Sequence, residues 1–297
     1  MSSRTSVASA YIAMCLIWGS TWMMIKIGLR GAPPVTSIAV RMTVASLMVA
    51  ILLRAMRVPF PRDARFVRLG LFNGIFNVGL PYIFVYFGEE RISSGLAAVL
   101  YSTMPLMVAL LARAWLGDRL TVRKMAGIAL GMVGVGIIFS HNLNLGPAAA
   151  AGTALVLASV ACSTVGTVAT KKWGHGFHPV ASLLIPFATS AALATLLALA
   201  IERPLQLDYS PATWGTIVYL AALGSVTAFT LFFFVMQRID VTVVSYQTFI
   251  IPIVAVVLGF AFLGETISSR VALGAGLILA GIALATFARA PRLVRNA

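Results

Sequence analysis

The stretch PLMVALLARAWLGDRLTVRKMAGIALGMVG, Pro105 to Gly134, returns 147 positions later as PIVAVVLGFAFLGETISSRVALGAGLILAG, Pro252 to Gly281. Pro105 reappears as Pro252, Leu116-Gly117-Asp118 as Leu263-Gly264-Glu265, Gly127 as Gly274 and Gly134 as Gly281. The same offset, without a gap, carries Arg91-Ile92 onto Arg238-Ile239, Tyr86-Phe87 onto Phe233-Phe234, Cys15 onto Cys162 and Gly19 onto Gly166. Solenoid units run to ~20–50 residues. A period of about half the chain instead points to one duplicated unit, divided here as residues 1–141 and 142–297.

What kind of unit follows from composition. The chain has 297 residues, is 60% hydrophobic and 10% charged, and has a mean hydropathy of +0.97. A water-soluble protein of this length could not hide so much apolar surface. Long, nearly charge-free stretches recur from end to end, so the solvent is a bilayer. The net charge of +14 does not indicate nucleic acid, because the basic residues sit in short loops instead of forming one face or tail. Cys15 and Cys162 both fall in apolar stretches, as small packing residues do.

A spanning helix needs ~20 mostly apolar residues. Ten fit: Val7–Gly28, Val35–Arg54, Phe66–Phe87, Ser94–Leu116, Val122–Ser140, Gly152–Lys172, Val180–Ile201, Ala212–Gln237, Thr242–Leu263 and Arg270–Ala288. The first is too long for a signal peptide, contains Lys26 and leads directly into another span. With the N-terminus cytoplasmic, the inner segments hold Arg4, Arg54, Arg57, Arg62, Arg65, Arg68, Arg113, Arg119, Arg123, Lys124, Lys171, Lys172, Arg238, Arg289, Arg292 and Arg295. The outer loops hold Arg30, Arg91, Arg203 and Arg270. This bias predicts both termini inside. Five spans per copy is odd, so the second copy enters from the opposite face. The expected fold is an all-α membrane protein of ten transmembrane helices in two inverted five-helix repeats, an arrangement suited to alternating access.

Trp18-Gly19-Ser20 followed by Lys26 in the first span, and Arg41 seven residues after Pro34, resemble the EamA-like branch of the drug/metabolite transporter superfamily. So does the end of each half: a mid-helix proline, Gly-Asp or Gly-Glu, then a glycine-rich fifth span. The resemblance covers nearly the whole chain. It implies a ten-helix carrier that moves small metabolites, amino acids or drugs, usually outward, across the plasma (inner) membrane. The chain departs from the pattern in having Asp118 where Glu is commoner, and Val165 where the second copy would repeat Trp18.

Within that frame the polar residues in spans are the expected substrate-binding set. Trp18 and Trp22, four apart on one helical face, flank Thr21. Asn73 and Asn77 share a face of the third span with Tyr82 beside them. Tyr101 lies in the fourth, Thr227 in the eighth, and Tyr246 and Gln247 in the ninth. Each has a plainer reading as an interface aromatic or interhelical hydrogen bond. Arg41, about a third of the way into its span where a charge costs ~3 kcal/mol, either attracts a substrate carboxylate or snorkels to the outer interface. Lys26 is placed as a snorkelling residue. Pro105 and Pro252 each remove a helical N–H, giving either a static kink or a hinge. Asp118 and Glu265 read as anions at the start of the following helix, with a coupling role as the alternative.

An aromatic pocket with a few amides and one cation suits a neutral or zwitterionic solute. All eight acidic residues are assigned to loops or span ends, so no proton relay through a buried carboxylate is expected. Protons remain a candidate coupling ion through an end-of-helix acid, a histidine or the solute. Catalytic motifs and cofactor signatures are not found. His175 and His178 have no third ligand nearby to make a metal site. Exchange of phosphorylated or nucleotide-sugar solutes is the alternative function, and needs more cations than two. A monomer and a homodimer are both compatible with the small-residue faces.

Overall fold

In hydrocarbon every backbone N–H and C=O must be satisfied within the segment, which selects helices. A computed structural model describes residues 3–61, 63–118, 120–174, 176–202, 210–236, 238–239, 244 and 247–286. These residues form α1 (Ser3–Gly28), α2 (Pro34–Ala55), α3 (Ala64–Glu89), α4 (Ser94–Leu116) and α5 (Val122–Leu145). The second half forms α6 (Pro147–Trp173), α7 (Ala181–Ile201), α8 (Pro211–Met236), α9 (Gln247–Leu263) and α10 (Ser269–Thr286). Among the described residues nine of these are long and apolar enough to cross a membrane, and α9 is a shorter apolar helix. The all-helical membrane architecture expected from hydropathy is what the chain adopts.

Local chemistry sets the ends. Asp63 accepts from Arg65 N at the start of α3, Ser93 from Leu96 N at α4 and Thr121 from Lys124 N at α5, each satisfying a donor that a helix N-terminus leaves free. Gly117 and Gly264, equivalent under the repeat, close α4 and α9 in the left-handed region at φ 72° and 65°. One connection differs from the reading of the sequence, which put a turn from Asn142 to Pro147. The helix runs on to Leu145, because Asn142 is buried and donates to Thr153 Oγ1 at 2.6 Å, and the chain reverses at Gly146 (φ 121°). Likewise α3 continues two residues beyond Phe87, to Glu89.

One irregularity recurs at matching places and another does not. α3 carries a π-helical segment at Gly74–Gly79 and α8 another at Leu220–Thr227. α4 is interrupted at Ser102-Thr103, with Pro105 in the first turn of its second piece, whereas α9 passes through Pro252 unbroken. In α4 the Ser102 and Thr103 hydroxyls donate to the Val99 and Leu100 carbonyls, so the break is satisfied locally.

The two halves pack chiefly on each other: α5 against α10, α2 against α7, α3 against α6 and α7, α1 against α8 and α9, α4 against α6 and α9, α2 against α8. Exchanging the halves maps this set of contacts onto itself. The closest seam joins α5 to α10, where a Cβ added at Gly134 would lie 2.5 Å from Gly274 O and one at Gly274 2.8 Å from Gly134 O. Gly127 meets Gly281 in the same reciprocal way. Small residues let the backbones approach closely, which is how helices associate where lipid offers no hydrophobic contrast.

Candidate functional site

Arg41 lies seven residues into α2 and is 3% exposed, so it does not snorkel. Its guanidinium reaches across both halves of the chain. Nε and NH2 both donate to Ser225 Oγ at 3.3 Å, NH1 donates to Tyr86 OH at 3.2 Å and NH2 to Tyr82 OH at 3.4 Å. The cation also sits 4.5 Å from the centroid of the Tyr82 ring. Ser225 belongs to the π-helical segment of α8, and its own hydroxyl donates to Leu220 O at 3.0 Å. A π-turn is a common way to aim a group out of a helix at a functional site.

The α1 residues converge on the same segment. Trp18 Nε1 donates to Gly224 O at 3.2 Å, and its ring meets Phe229 edge-on at 5.3 Å. Thr21 spends its hydroxyl on Trp18 O at 2.6 Å and packs its methyl against Gly224, beside the Arg41 guanidinium. Trp22 stacks edge-to-face on Tyr101 at 5.4 Å, and Tyr101 hydrogen-bonds Ser163 of α6 at 2.8 Å. Trp18, Thr21, Trp22, Arg41, Tyr82 and Tyr101 are thus gathered around the meeting of α1, α2, α3, α4 and α8.

Other expected residues lie elsewhere. Asn73 is in the α3–α6 contact, donating to Thr170 Oγ1 at 2.8 Å, and Asn77 packs against Gly166 of the same helix. Thr227 is half-buried at the end of the α8 π-segment, and Gln247 at the start of α9 keeps a buried Oε1. Tyr246 lies outside the described residues. A hollow of ≈ 230 Å³ between α2 and α7, lined by Thr36, Thr43 and Thr195 among apolar side chains, shares no residue with the cluster.

The end of the bundle that carries Lys26, Glu202 and Glu265 is tied by charge. Lys26 donates to Ile92 O at 2.8 Å and to Glu89 O, binding α1 to the α3–α4 turn instead of snorkelling. Glu265 accepts from Ser94 N (2.7 Å), Ser94 Oγ (3.0 Å) and Gly95 N (3.1 Å). It is therefore an anion at a helix N-terminus, as expected, but the helix is α4 of the other half and not the one that follows it. Glu202 caps α2 in the same manner through Val35 N and Thr36 N. Asp118 pairs with Lys171 at 2.9 Å on the exposed surface, where such a pair contributes little.

Sequence reasoning missed Ser225, Tyr86, Ser163 and Glu89. The Gly224-Ser225 pair, two residues before Thr227 in the eighth span, was the available signal for the first. Glu89 stands at a span end, as assigned, but it is wholly buried, so the expectation that no carboxylate is buried needs correction. Hydropathy locates a span end without showing whether neighbouring helices cover it.

Comparison with known proteins agrees with this architecture. A solved crystal structure superposes with a TM-score of 0.68 at 20% identity, covering 95% of this chain and 98% of the other. The uncharacterized transporter YoaV of Bacillus subtilis (strain 168) is 24% identical over 93% of this chain and 95% of its own length. The uncharacterized inner membrane transporter YedA of Escherichia coli (strain K12) is 26% identical over 94% and 90%. Protein PecM of Dickeya dadantii (strain 3937) is 26% identical over 92% and 89%. The EamA-like transporter family matches twice, at residues 5–140 and 150–287. Two tandem matches, together spanning nearly all of an all-helical membrane protein, mean that this chain belongs to the EamA-like transporter family.

Proposed function

We propose that the protein is a secondary-active or facilitative carrier that moves small neutral or zwitterionic organic solutes, such as amino acids or metabolites, outward across the plasma (inner) membrane by alternating access. The observation that carries this reading is the Arg41 cluster. Among the described residues this buried cation is hydrogen-bonded to the hydroxyls of Tyr82, Tyr86 and Ser225 and to no carboxylate, and it lies where the first half meets the second. The Tyr82 ring lies against it, and Trp18 and Thr21 meet the same Gly224-Ser225 segment, a combination that fits a largely apolar solute bearing a carboxylate. Exchange of phosphorylated solutes is less well served, because a phosphate site calls for several cations, whereas Arg41 stands in the cluster without a second cation and Lys26 is held by the Ile92 carbonyl.

The reciprocal contacts of α5 with α10, and the two family matches, support two inverted repeats, 1–141 and 142–297, and the Lys/Arg bias of the loops supports both termini cytoplasmic. Rocking of one repeat against the other would open the Arg41 cluster to each face in turn. The interruption of α4 at Ser102-Thr103, and the π-segments of α3 and α8, are the places where helices can bend; Pro105 serves as hinge, with Pro252 its counterpart in α9. The test is a thermal-shift screen of purified protein against amino acids, nucleosides, polyamines and cationic drugs, followed by counterflow of each stabilising solute in proteoliposomes. A solute that raises Tm binds the folded state. Stabilisation by sugar phosphates alone would replace this substrate class with the phosphorylated one, and counterflow by no member of the panel would remove the carrier reading.

A further inference from the structure

Glu89, the last residue of α3, is 0% exposed, and neither carboxyl oxygen has a hydrogen-bond donor among the described residues. Buried polar atoms are almost always paired, and the other carboxylates at this end of the molecule obey the rule. Glu202 takes two backbone N–H groups and the Thr36 hydroxyl, and Glu265 takes two backbone N–H groups and the Ser94 hydroxyl. Glu89 has no such cap, although cations are close by.

The charged groups facing it come from several helices. Lys26 of α1 gives its N–H groups to the Glu89 and Ile92 carbonyls. Arg41 of α2 gives its own to Ser225, Tyr82 and Tyr86, and Tyr86 precedes Glu89 by three residues on α3. Glu265, following α9, is the remaining charged neighbour. α6 brings Gly152 and Val156 against the adjacent Gly88. A carboxylate without donors is expensive to bury, so this position must be supplied with a donor, and the simplest donor is a proton on the carboxyl itself.

We propose that Glu89 is a proton-binding site that couples solute movement to the proton gradient. This rests on the carrier reading above. With the proton bound, Lys26 stays on the backbone carbonyls, as seen here. When the halves rearrange and water reaches the carboxyl, the proton leaves to that water as hydronium, and the carboxylate left behind draws Lys26 off the carbonyls. Reprotonation from the opposite face completes the cycle, so one proton crosses and no bond other than O–H is made or broken.

The test uses the full chain in lipid nanodiscs and reads protonated carboxyl groups by their infrared C=O stretch as pH is varied. Wild type should show such a band, Glu89→Gln should lose it, and Glu265→Gln should keep it. If Glu89→Gln is not monodisperse, Glu89→Asp keeps the acid and should shift the band. Absence of the band from wild type across the pH range of stable protein, or its persistence unchanged in Glu89→Gln or Glu89→Asp, would overturn the proposal.

A second arm uses proteoliposomes loaded with the pH-sensitive dye pyranine and the solute panel above. Exchange of one proton sustains about a tenfold solute gradient per pH unit. Glu89→Gln should abolish that accumulation and the accompanying proton flux while retaining solute counterflow; proton flux equal to wild type would also overturn the proposal. The infrared arm needs no solute. If nothing is transported, the carrier reading and the coupling fall together, whereas solute transport without the Glu89 band removes only the proton site.

Discussion

The α5–α10 seam makes a prediction whose sign is set by geometry alone. Gly134 and Gly136 sit two residues apart on α5, yet a Cβ on Gly134 would lie 2.5 Å from Gly274 O and 3.0 Å from Ile278 N, while one on Gly136 meets nothing within 4 Å. The closest of the obstructing atoms at Gly134 is a backbone oxygen, so no rotamer change can relieve it. The two helices must move apart, and overpacking of this kind costs about 1–3 kcal/mol. Opening a close seam also forfeits dispersion contacts along it, since a gap of about 0.5–1 Å loses a quarter to a half of each well. Alanine returns about 1 kcal/mol over glycine in helix propensity. The net expectation for Gly134→Ala is a loss of about 1–2 kcal/mol, or a fall in Tm of about 2–8 °C for a chain of this size. Gly136→Ala keeps the propensity gain without the clash and should leave Tm unchanged or higher. Gly274→Ala, the reciprocal partner, should resemble Gly134→Ala. Thermal unfolding in detergent, followed by tryptophan fluorescence, measures all three. Equal Tm values for the Gly134 and Gly136 variants, or a lower one for Gly136→Ala, would refute the close approach of α5 and α10.

Arg41→Ala and Trp18→Ala should reduce counterflow while leaving membrane insertion intact, and wild-type rates from either variant would exclude that residue from the site. Thr153→Val removes the acceptor for the buried Asn142 amide, and an orphaned donor costs about 1–3 kcal/mol; an unchanged Tm would show that the amide finds another partner. Cysteine labelling of tags at the two ends of the chain should find both on the cytoplasmic face, and labelling on opposite faces would end the inverted-repeat reading.

Much of the molecule was legible from residues 105–134 and their return at 252–281. Apolar length dictates spanning helices because the bilayer leaves backbone groups no other partner. Gly117 and Gly264, and the glycines of α5 and α10, stood out in the repeat, and the structure uses them for helix closure and close packing, which depend on local backbone geometry or on having no side chain. The buried charge at position 41 was visible for a similar reason: a cation in an apolar run costs enough to need an explanation. The chain alone could not say what Arg41 touches, since Ser225 lies 184 residues away in a π-turn with no sequence signature. Nor could it say which helix Glu265 would cap, because helix ends attract any anion packing brings near. Glu89 is the sharpest case. Hydropathy treats it as the edge of a span, and only the surrounding packing of α1, α2 and α6 decides that the edge is dry.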